Sequence, residues 1–380
     1  MGSVLSCAAV ARRQEQEAAR PEVVEVAPNV LRMQLPIRMP GLGHVNCYAI
    51  LDARGAAIVD PGLPGPGTWR ALQDRLRQAG LEIRHVHTVI VTHSHPDHFG
   101  GAARFAKEAG ATVVAHRSFS FGPPVAARAL PEVSVEDLAA PHAADEAAAD
   151  EAHGAGAGPA PDAAGDPSQR WLGGRTPWGG ERPRPPLLMK LKWRALRWIG
   201  GSIVPVITHP VEHGDVLELA DREWFVVHTP GHTSDHFCLH DPEHGTFLAG
   251  DHVLPTITPH ISGISSSPDP LSSFFYSLDR VAEIAGVRQV LPAHGHPFSD
   301  LRARTEAIKR HHHERLEKVK AISRRIGPAS VEAFSHELFH PRSWGSMAES
   351  ETYAHLEHLR IASQAERHVA GDGKLVYVTG

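Results

Sequence analysis

The chain has 380 residues, of which 42% are hydrophobic and 21% are charged, and these values are typical of a folded globular protein. A formal net charge of -5 argues against general electrostatic attraction to nucleic acid or to a membrane surface. Only 3 cysteines are present, so neither a disulfide framework nor a cysteine zinc cage is expected. The chain also lacks an apolar run of roughly 20 residues, and these features together predict a cytoplasmic protein.

The N-terminal segment, residues 1–22, predicts a flexible tail. Gly2 and Cys7 fit the loose sequence pattern of a lipidated N-terminus. The segment runs on into polar and charged residues, so a frayed tail is the favoured interpretation and lipidation is left open.

Residues 23–300 predict one α/β domain, because short apolar strands alternate with helical patterns. Residues 45–51 and 56–60 predict a hairpin, and residues 68–79 predict a helix that ends at Gly80. The other predicted elements are a strand at 85–92, a helix at 100–109, and strands at 111–115, 216–219, 224–228, 237–240, 246–249 and 287–291.

A low-complexity insertion interrupts this domain at about residues 139–186. Its Ala-, Gly- and Pro-rich composition cannot bury a core and predicts a disordered or lid-like segment. Residues 187–199 predict an amphipathic helix packed over the rim of the active site, with a membrane-surface role as the alternative.

Residues 301–380 predict a separate C-terminal domain. Helices are expected at 305–325, 330–338 and 347–362, followed by a hairpin of 367–370 and 374–379. Three helices followed by a two-stranded wing indicate a winged-helix-like domain. The run of His311, His312 and His313 on the first helix is interpreted as a solvated face.

A dense set of metal-binding residue types follows the strand at 85–92. His93 and His95 are two residues apart in extended backbone, so both side chains project the same way and can chelate one ion. Asp97 and His98 lie past the turn at Pro96 and can face a second ion. Four such residues in six positions indicate a metal site much more specifically than a lone histidine pair does.

Two ions need more ligands than this loop supplies, since zinc takes roughly four each. Three later strands end at metal-capable residues that each stand next to a glycine: His232, Asp251 and His294. The strand ends therefore predict a shared metal centre.

At this point the chain resembles the metallo-β-lactamase superfamily over roughly residues 23–299. The resemblance rests on five motifs in order, which are Ile58-Val59-Asp60-Pro61-Gly62, His93-Ser94-His95-Pro96-Asp97-His98, Pro230-Gly231-His232-Thr233, Gly250-Asp251 and Ala293-His294-Gly295. It implies a four-layer αββα sandwich with the metals at one edge of the paired sheets.

The resemblance also implies roles for individual residues. One ion would be bound by His93, His95 and His232, and the other by Asp97, His98 and His294. Asp251 would bridge the ions, and Asp60 would orient the histidine loop from behind. Two zinc ions are expected, with iron or manganese as alternatives. The catalytic residues expected from this set are Asp97, as proton acceptor and donor, and Asp251, while His252 and His260 are candidates for lining the pocket.

Departures from known branches narrow the expected activity. Antibiotic-hydrolysing members often carry a cysteine where Asp251 stands, and flavodiiron members carry a glutamate where His95 stands. No tyrosine is obviously placed as in the lactonases, and the segment after His294 differs from that of glyoxalase II proper. The tail resembles glyoxalase-II-like hydrolases with an appended winged helix, a branch that includes thioester hydrolases and a ribonuclease.

Three functions follow, in order of preference. The first is a dinuclear hydrolase in which water activated by the metals attacks the carbonyl of a thioester of the acyl-glutathione or acyl-CoA type. The second is an endoribonuclease or phosphodiesterase that uses the same site, with the winged helix binding nucleic acid. The third is a non-catalytic nucleic-acid-binding regulator. The expected partner is a small acyl substrate; nucleic acid is not favoured, and a homodimer is left open.

Overall fold

The computed structural model describes residues 13–39, 41–121, 176–180 and 203–380. Gly2, Cys7, the predicted helix at 187–199 and most of the predicted insertion at 139–186 lie outside the described residues. No helix in the described part of the chain is both long enough and apolar enough to cross a membrane.

The first half of the chain forms a seven-stranded sheet in which the strands follow one another in chain order. The pair β4–β5 is parallel, and so is β5–β6. Strand β5 ends in three buried apolar residues, Val89, Ile90 and Val91, as expected for a parallel strand covered on both faces. The strands are β1 (Val23–Ala27), β2 (Val30–Met39), β3 (Leu42–Asp52), β4 (Gly55–Val59), β5 (Val86–Val91), β6 (Thr112–His116) and β7 (His209–Val211).

The second half forms a five-stranded sheet in the order β12-β11-β10-β9-β8. Its last pairing, β11 with β12, is parallel, so these two strands end at the same edge. A smaller sheet near the C-terminus has the order β13-β15-β14. The strands are β8 (Val216–Leu219), β9 (Arg222–His228), β10 (Phe237–Asp241), β11 (Thr246–Gly250), β12 (Gln289–Pro292), β13 (Ala329–Ser330), β14 (Ala365–Val369) and β15 (Leu375–Thr379).

The helices cover the outer faces of the two large sheets. Those of the described residues are α1 (Pro66–Gln78), α2 (Pro96–Phe99), α3 (Ala102–Ala109), α4 (Pro270–Ala282), α5 (Leu301–Ile326), α6 (Val331–Leu338) and α7 (Ser346–Ile361).

Three apolar clusters separate the layers of this fold. Trp69 of α1 and Phe105 of α3 lie in the cluster on the outer face of the first sheet. Tyr48 and Trp224 lie in the cluster between the two sheets. Phe274 of α4 lies in a cluster on the outer face of the second sheet, which continues into the C-terminal helices. The resulting order of layers is αββα, and it confirms the predicted sandwich.

The C-terminal region contains helices α5, α6 and α7 and the small three-stranded sheet. The three predicted helices and the hairpin are therefore observed. Assignment of this region to the winged-helix class, and its treatment as a separate domain, stay predictions.

The interpretation of the three adjacent histidines as a solvated face is wrong for one of them. His313 is exposed, but His312 is fully buried. The reason is helical spacing: His312 lies on the same face of α5 as Ile308, Leu316 and Val319, which are also buried.

Two segments expected to be loosely structured contain packed residues. Glu15, in the predicted tail, is buried, and its carboxylate accepts the main-chain N–H of Thr256 at 2.8 Å and that of Ile257 at 3.1 Å. Trp178, in the predicted insertion, is buried, and its Nε1 donates to Glu349 of α7 at 2.8 Å. A single large aromatic side chain explains this packing within an otherwise Gly- and Pro-rich stretch.

Candidate metal centre

The predicted ligands come together at one edge of the sandwich. They lie on the segments that follow β5, β9, β11 and β12, and they form two groups. Within each group all the ligand atoms lie within 4.8 Å of one another. The first group contains His93, His95, His232 and Asp251, and the second contains Asp97, His98 and His294.

Three ring nitrogens of the first group point at one another. His93 Nε2 lies 3.0 Å from His95 Nδ1, and His232 Nε2 lies 3.1 Å from the same atom. His93 Nδ1 faces Thr92 Oγ1 at 3.0 Å, and His232 Nδ1 faces the carbonyl of His260 at 2.7 Å. If these Nδ1 atoms donate, both Nε2 atoms carry lone pairs, and one proton at most can lie among the three nitrogens. Such a convergence of lone pairs suits a cation.

The second group combines one carboxylate with two imidazoles. Asp97 Oδ2 lies 3.6 Å from His98 Nε2 and 3.6 Å from His294 Nε2. Both Nε2 atoms are buried without a hydrogen-bond partner among the described residues, and so is Asp251 Oδ1. Burying a polar atom without a partner costs folding free energy. Imidazoles and carboxylates in such sets are common ligands of divalent metal ions. The residues therefore fit metal ions.

Asp251 joins the two groups. Its Oδ2 lies 3.6 Å from His98 Nε2 and 3.6 Å from His232 Nε2, and its Oδ1 lies 3.3 Å from His294 Nε2. His93 Nε2 is 3.9 Å away. A carboxylate in contact with imidazoles of both groups is in the position that bridging would require.

Hydrogen bonds from outside the groups fix the orientation of the rings. His98 Nδ1 donates to Asp60 Oδ2 at 2.8 Å, and His294 Nδ1 donates to the carbonyl of His44 at 2.7 Å. Asp60 also accepts the main-chain N–H of Thr92 at 2.9 Å and its hydroxyl at 2.8 Å. Such contacts hold each ring so that its other nitrogen is turned towards the place that a metal ion could occupy.

The backbone at Asp60 is strained. Its φ of 52° is a left-handed conformation that residues other than glycine rarely adopt. Strain of this kind persists where surrounding contacts require it, and here the carboxylate is held by Thr92 and His98. The structure thus places Asp60 behind the histidine loop, and the role that the resemblance implies for it, orienting metal ligands, stays a prediction.

His236 is a residue that the sequence analysis missed. It is fully buried, and its Nε2 accepts the main-chain N–H of Asp251 at 3.0 Å while its Nδ1 faces Thr229 Oγ1 at 2.7 Å. The neighbouring Gly250 has φ 51°, and a Cβ there would lie 2.5 Å from His236 Nε2. The ring and the glycine together fix the main chain that carries Asp251.

Asp235 was also missed. Its Oδ1 accepts the hydroxyl of Ser94, between His93 and His95, at 3.0 Å. Burial raises the pKa of Asp235 to about 6, although hydrogen bonds from Thr233 and Ser94 oppose the shift. The carboxylate ties the histidine loop to the segment that carries His232.

The two predicted pocket histidines differ in position. His252 is fully buried with its ring 5.1 Å from that of Phe274, and burial lowers its pKa to about 3. It therefore lies behind the site instead of lining open space. His260 is partly exposed, its carbonyl accepts from His232, and its Nδ1 lies 3.3 Å from Glu351 Oε2.

Charge is unevenly distributed between the two groups. Burial lowers the pKa of His93 and His95 well below the usual range. Burial is the largest single influence on His98 and His294 and disfavours their protonation, but the carboxylates of Asp251 and Asp97 together outweigh it and raise the pKa of both rings. The neutral rings of the first group and the acidic surroundings of the second both favour a bound cation.

The chain also matches a protein family whose name agrees with this arrangement of metal-binding residue types. A family model described as the metallo-beta-lactamase superfamily matches residues 40–307, which is more than half of the chain. The chain belongs to the metallo-beta-lactamase superfamily. The resemblance of its motifs to this family is thereby confirmed.

Individual relatives narrow the class. The acyl-coenzyme A thioesterase MBLAC2 of Gallus gallus is 28% identical over 267 residues, which cover 67% of this chain and 74% of that protein. A hydroxyacylglutathione hydrolase of Albidiferax ferrireducens is 38% identical over 81 residues, which cover 21% of this chain and 28% of that protein. This superfamily member is a metal-dependent hydrolase.

Solved structures support the fold along almost the whole chain. A metallo-beta-lactamase family protein from Thermus thermophilus has a TM-score of 0.66 and 27% identity, and the match covers 94% of this chain and 100% of that one. A beta-lactamase domain protein from Burkholderia ambifaria has a TM-score of 0.65 at 24% identity, with coverage of 95% and 96%. The second likeness supports the fold alone.

Proposed function

We propose that this hydrolase holds two metal ions and cleaves a thioester of the acyl-CoA or acyl-glutathione type. The observation that carries the proposal is the pair of ligand groups that share one carboxylate, that of Asp251. The names of the two relatives, a thioesterase and a hydroxyacylglutathione hydrolase, favour a thioester as the substrate.

In this proposal His93, His95 and His232 hold one ion, and Asp97, His98 and His294 hold the other. Asp251 would supply its carboxylate to both. When bound, the ions supply Lewis acidity towards the carbonyl and lower the pKa of a water molecule towards neutrality. Zinc is the metal that best suits a set of imidazoles and carboxylates that need not change redox state.

The side chains have separate tasks in this reaction. Water adds to the carbonyl carbon, the carbon–sulfur bond breaks, and the products are a carboxylic acid and a thiol. We assign to the carboxylate of Asp97 the transfer of the proton from the attacking water towards the sulfur. Asp60 and the carbonyls of His44 and His260 hold the imidazoles in place, so that little rearrangement accompanies the reaction.

The metal centre by itself does not choose between thioesters and phosphodiesters, so substrates must be compared directly. We expect the zinc-loaded protein to hydrolyse an acyl-CoA or an acyl-glutathione, with the released thiol measured, and to leave single-stranded RNA intact. Cleavage of RNA without any thioester turnover would overturn the proposal. An Asp279→Ala variant serves as a control and should hydrolyse the thioester as fast as wild type does. This exposed carboxylate of α4 pairs with Lys309 and is not part of either ligand group.

A further inference from the structure

Helix α7, in the C-terminal region, contacts the loop between β11 and α4 at several residues. The main-chain N–H of Gly263 donates to Ser350 Oγ at 3.0 Å, and His358 Nδ1 lies 2.9 Å from Asp269 Oδ2. A Cβ at Gly263 would lie 2.6 Å from the carbonyl oxygen of Ser350, so loop and helix are in close contact. The loop begins at Asp251, and its conformation therefore bears on the metal centre.

One of these contacts leads directly to a metal ligand of the proposed site. Glu351 Oε2 of α7 lies 3.3 Å from His260 Nδ1. The carbonyl of the same His260 accepts from His232 Nδ1 at 2.7 Å. His232 Nε2 is one of the three nitrogens that converge in the first group. Glu351 of the C-terminal helix is thus connected to the proposed ligand His232 by two hydrogen bonds, with His260 between them.

Glu351 is itself held from the far side. Its Oε1 forms an ion pair with Arg315 of α5, and the side chains of Glu351 and Arg315 are only 12% and 18% exposed. Burial lowers the pKa of Arg315 to about 10, which leaves it charged at neutral pH. Charge-assisted hydrogen bonds are the stronger kind and keep a carboxylate in one orientation.

We propose that Glu351 is a positioning residue for the metal centre, acting through His260 on His232. Glu351 holds the imidazole of His260, this fixes the main chain at residue 260, and the carbonyl there directs the lone pair of His232 towards the metal. The inference rests on the proposed role of His232 as a ligand. It gives the C-terminal region a task in metal binding that requires no contact with substrate.

A competing assignment for Glu351 is a third metal site. Its ligand atoms and those of His312 and His355 lie within 4.8 Å of one another. Arg315 already pairs with the only carboxylate of this group, and a divalent ion would add positive charge beside it. Three of the four ring nitrogens have partners without an ion, because His355 Nδ1 donates to the carbonyl of Glu351 at 2.7 Å and His312 Nδ1 lies 3.1 Å from His355 Nε2. His312 Nε2 has no hydrogen-bond partner among the described residues. We therefore assign them to the packing of α5 against α7.

The test measures metal binding and does not depend on activity. Metal-free wild type, Glu351→Gln and Glu351→Asp are titrated with cobalt(II), whose visible absorption reports the geometry of its ligands. We expect Glu351→Gln to bind cobalt(II) about tenfold more weakly, with an altered spectrum, as is typical when a group behind a ligand is removed. Glu351→Asp keeps the charge and should recover most of the affinity.

The matched control is Glu357→Gln. Glu357 lies on the same helix, is buried, and pairs with Arg360 and Arg367, but it contacts none of the proposed ligands. Loss of this ion pair should lower the thermal stability and leave the cobalt(II) affinity and spectrum unchanged. If Glu357→Gln weakens cobalt(II) binding as much as Glu351→Gln does, the effect is a general one on folding and the proposal fails.

A double-mutant cycle tests the route through His260. If Glu351 acts through that ring, Glu351→Gln should have no further effect on cobalt(II) affinity in a His260→Ala background. Additive losses would overturn this route. A wild type that binds three ions, with one fewer in Glu351→Gln, would make Glu351 a ligand and also overturn it.

The outcomes separate this inference from the proposed function. A wild-type protein that binds cobalt(II) but shows no difference from Glu351→Gln refutes only the positioning role. A wild-type protein that binds no divalent metal refutes both. Failure to hydrolyse thioesters, with the metal results as expected, refutes the choice of substrate alone.

Discussion

Asp251 stands where the two ligand groups meet, and its removal should affect both. The carboxylate lies between 3.3 and 3.9 Å from the Nε2 atoms of His93, His98, His232 and His294. In Asp251→Ala four imidazoles lose their shared negative charge. We expect thioester hydrolysis, measured as kcat/KM, to fall by more than about 100-fold, since even residues behind a ligand cost about 10–100-fold. Elemental analysis should show fewer bound ions, and a variant with full activity and full metal content would contradict the shared role.

His236 offers a finer test, because it acts on Asp251 through the main chain. His236→Leu leaves the buried N–H of Asp251 without its acceptor, which costs about 1–3 kcal/mol of folding stability. His236→Gln places an amide oxygen near the former Nε2 position and should restore much of this loss. Thermal unfolding and zinc affinity of the two variants provide the measurement. Equal behaviour of the two variants would show that the acceptor is unimportant.

At the scale of single residues, the sequence predicted which side chains would meet but not what would hold them. His232, Asp251 and His294 could be predicted because each follows an apolar strand and stands beside a glycine. The role of His236 depends on a main-chain N–H that lies 15 positions further along the chain, and no local pattern reports such a contact. The burial of His312 was readable in principle, since Ile308 and Leu316 occupy the same helical face.

Helix α4 shapes the metal centre through the close approach of its first turns to Gly231. That glycine has φ 135°, and a Cβ there would lie 2.5 Å from the Cα of Phe274. In Gly231→Ala we expect the loop that carries His232 to shift, with loss of bound metal and of more than about 2 kcal/mol of stability. Metal content and thermal unfolding provide the readouts.

Gly286 is the matched control for this substitution. It also has a positive φ, of 78°, but a Cβ there would meet no atom within 4 Å. Gly286→Ala should cost only the backbone strain of about 1 kcal/mol and leave the metal content unchanged. Equal metal loss in the two variants would show that crowding against Phe274 is not the cause.

Among the elements, those with strong periodic signals were predicted and those without were missed. The hairpin of β3 and β4 and the three C-terminal helices were expected from their patterns. Strands β1, β2 and β7 and helix α4 were not. The start of α4 carried a local signal, because Asp269 caps it by accepting the N–H of Ser272 at 2.9 Å and Pro270 occupies its first position.

The dependence of folding stability on pH is a property of the whole molecule. One buried histidine, His116, shows that acid lowers this stability. His116 is 6% exposed, its ring stacks on that of His228 at 4.0 Å, and burial lowers its pKa from 6.5 to about 4. The unfolded chain therefore binds the proton more tightly than the folded protein. Stability is fully present above pH 6.5 and is lost as the pH falls towards 4, by at most about 3 kcal/mol for this group.

Replacing the ring by one that cannot titrate should reduce this loss. We expect His116→Phe to show a smaller fall in unfolding free energy between pH 6.5 and 4 than wild type does, as measured by denaturant titration at several pH values. His313→Phe is the control, because His313 also stacks on an aromatic ring, that of Phe275 at 4.8 Å, but is exposed. If both variants change the pH dependence alike, burial of His116 is not the cause.

For the molecule as a whole, the layered architecture was predictable because the order of motifs is specific to one family. Packing of Glu15 and Trp178 against distant parts of the chain was not, because their partners lie far away in sequence. A cytoplasmic location and the boundary of a separate C-terminal domain remain predictions.

The hydrogen bonds that join β3 to the end of β12 have a consequence for the order of events during synthesis. Asn46 Nδ2 donates to the carbonyls of Pro292 and Gly295, 246 and 249 residues away. The proposed ligands are likewise divided between the early loop and segments that end at His294. A ribosome adds 200 residues between His93 and His294, so the early loop exists long before that last imidazole. Complete metal uptake is therefore a late event, and it marks a chain whose two halves have already docked.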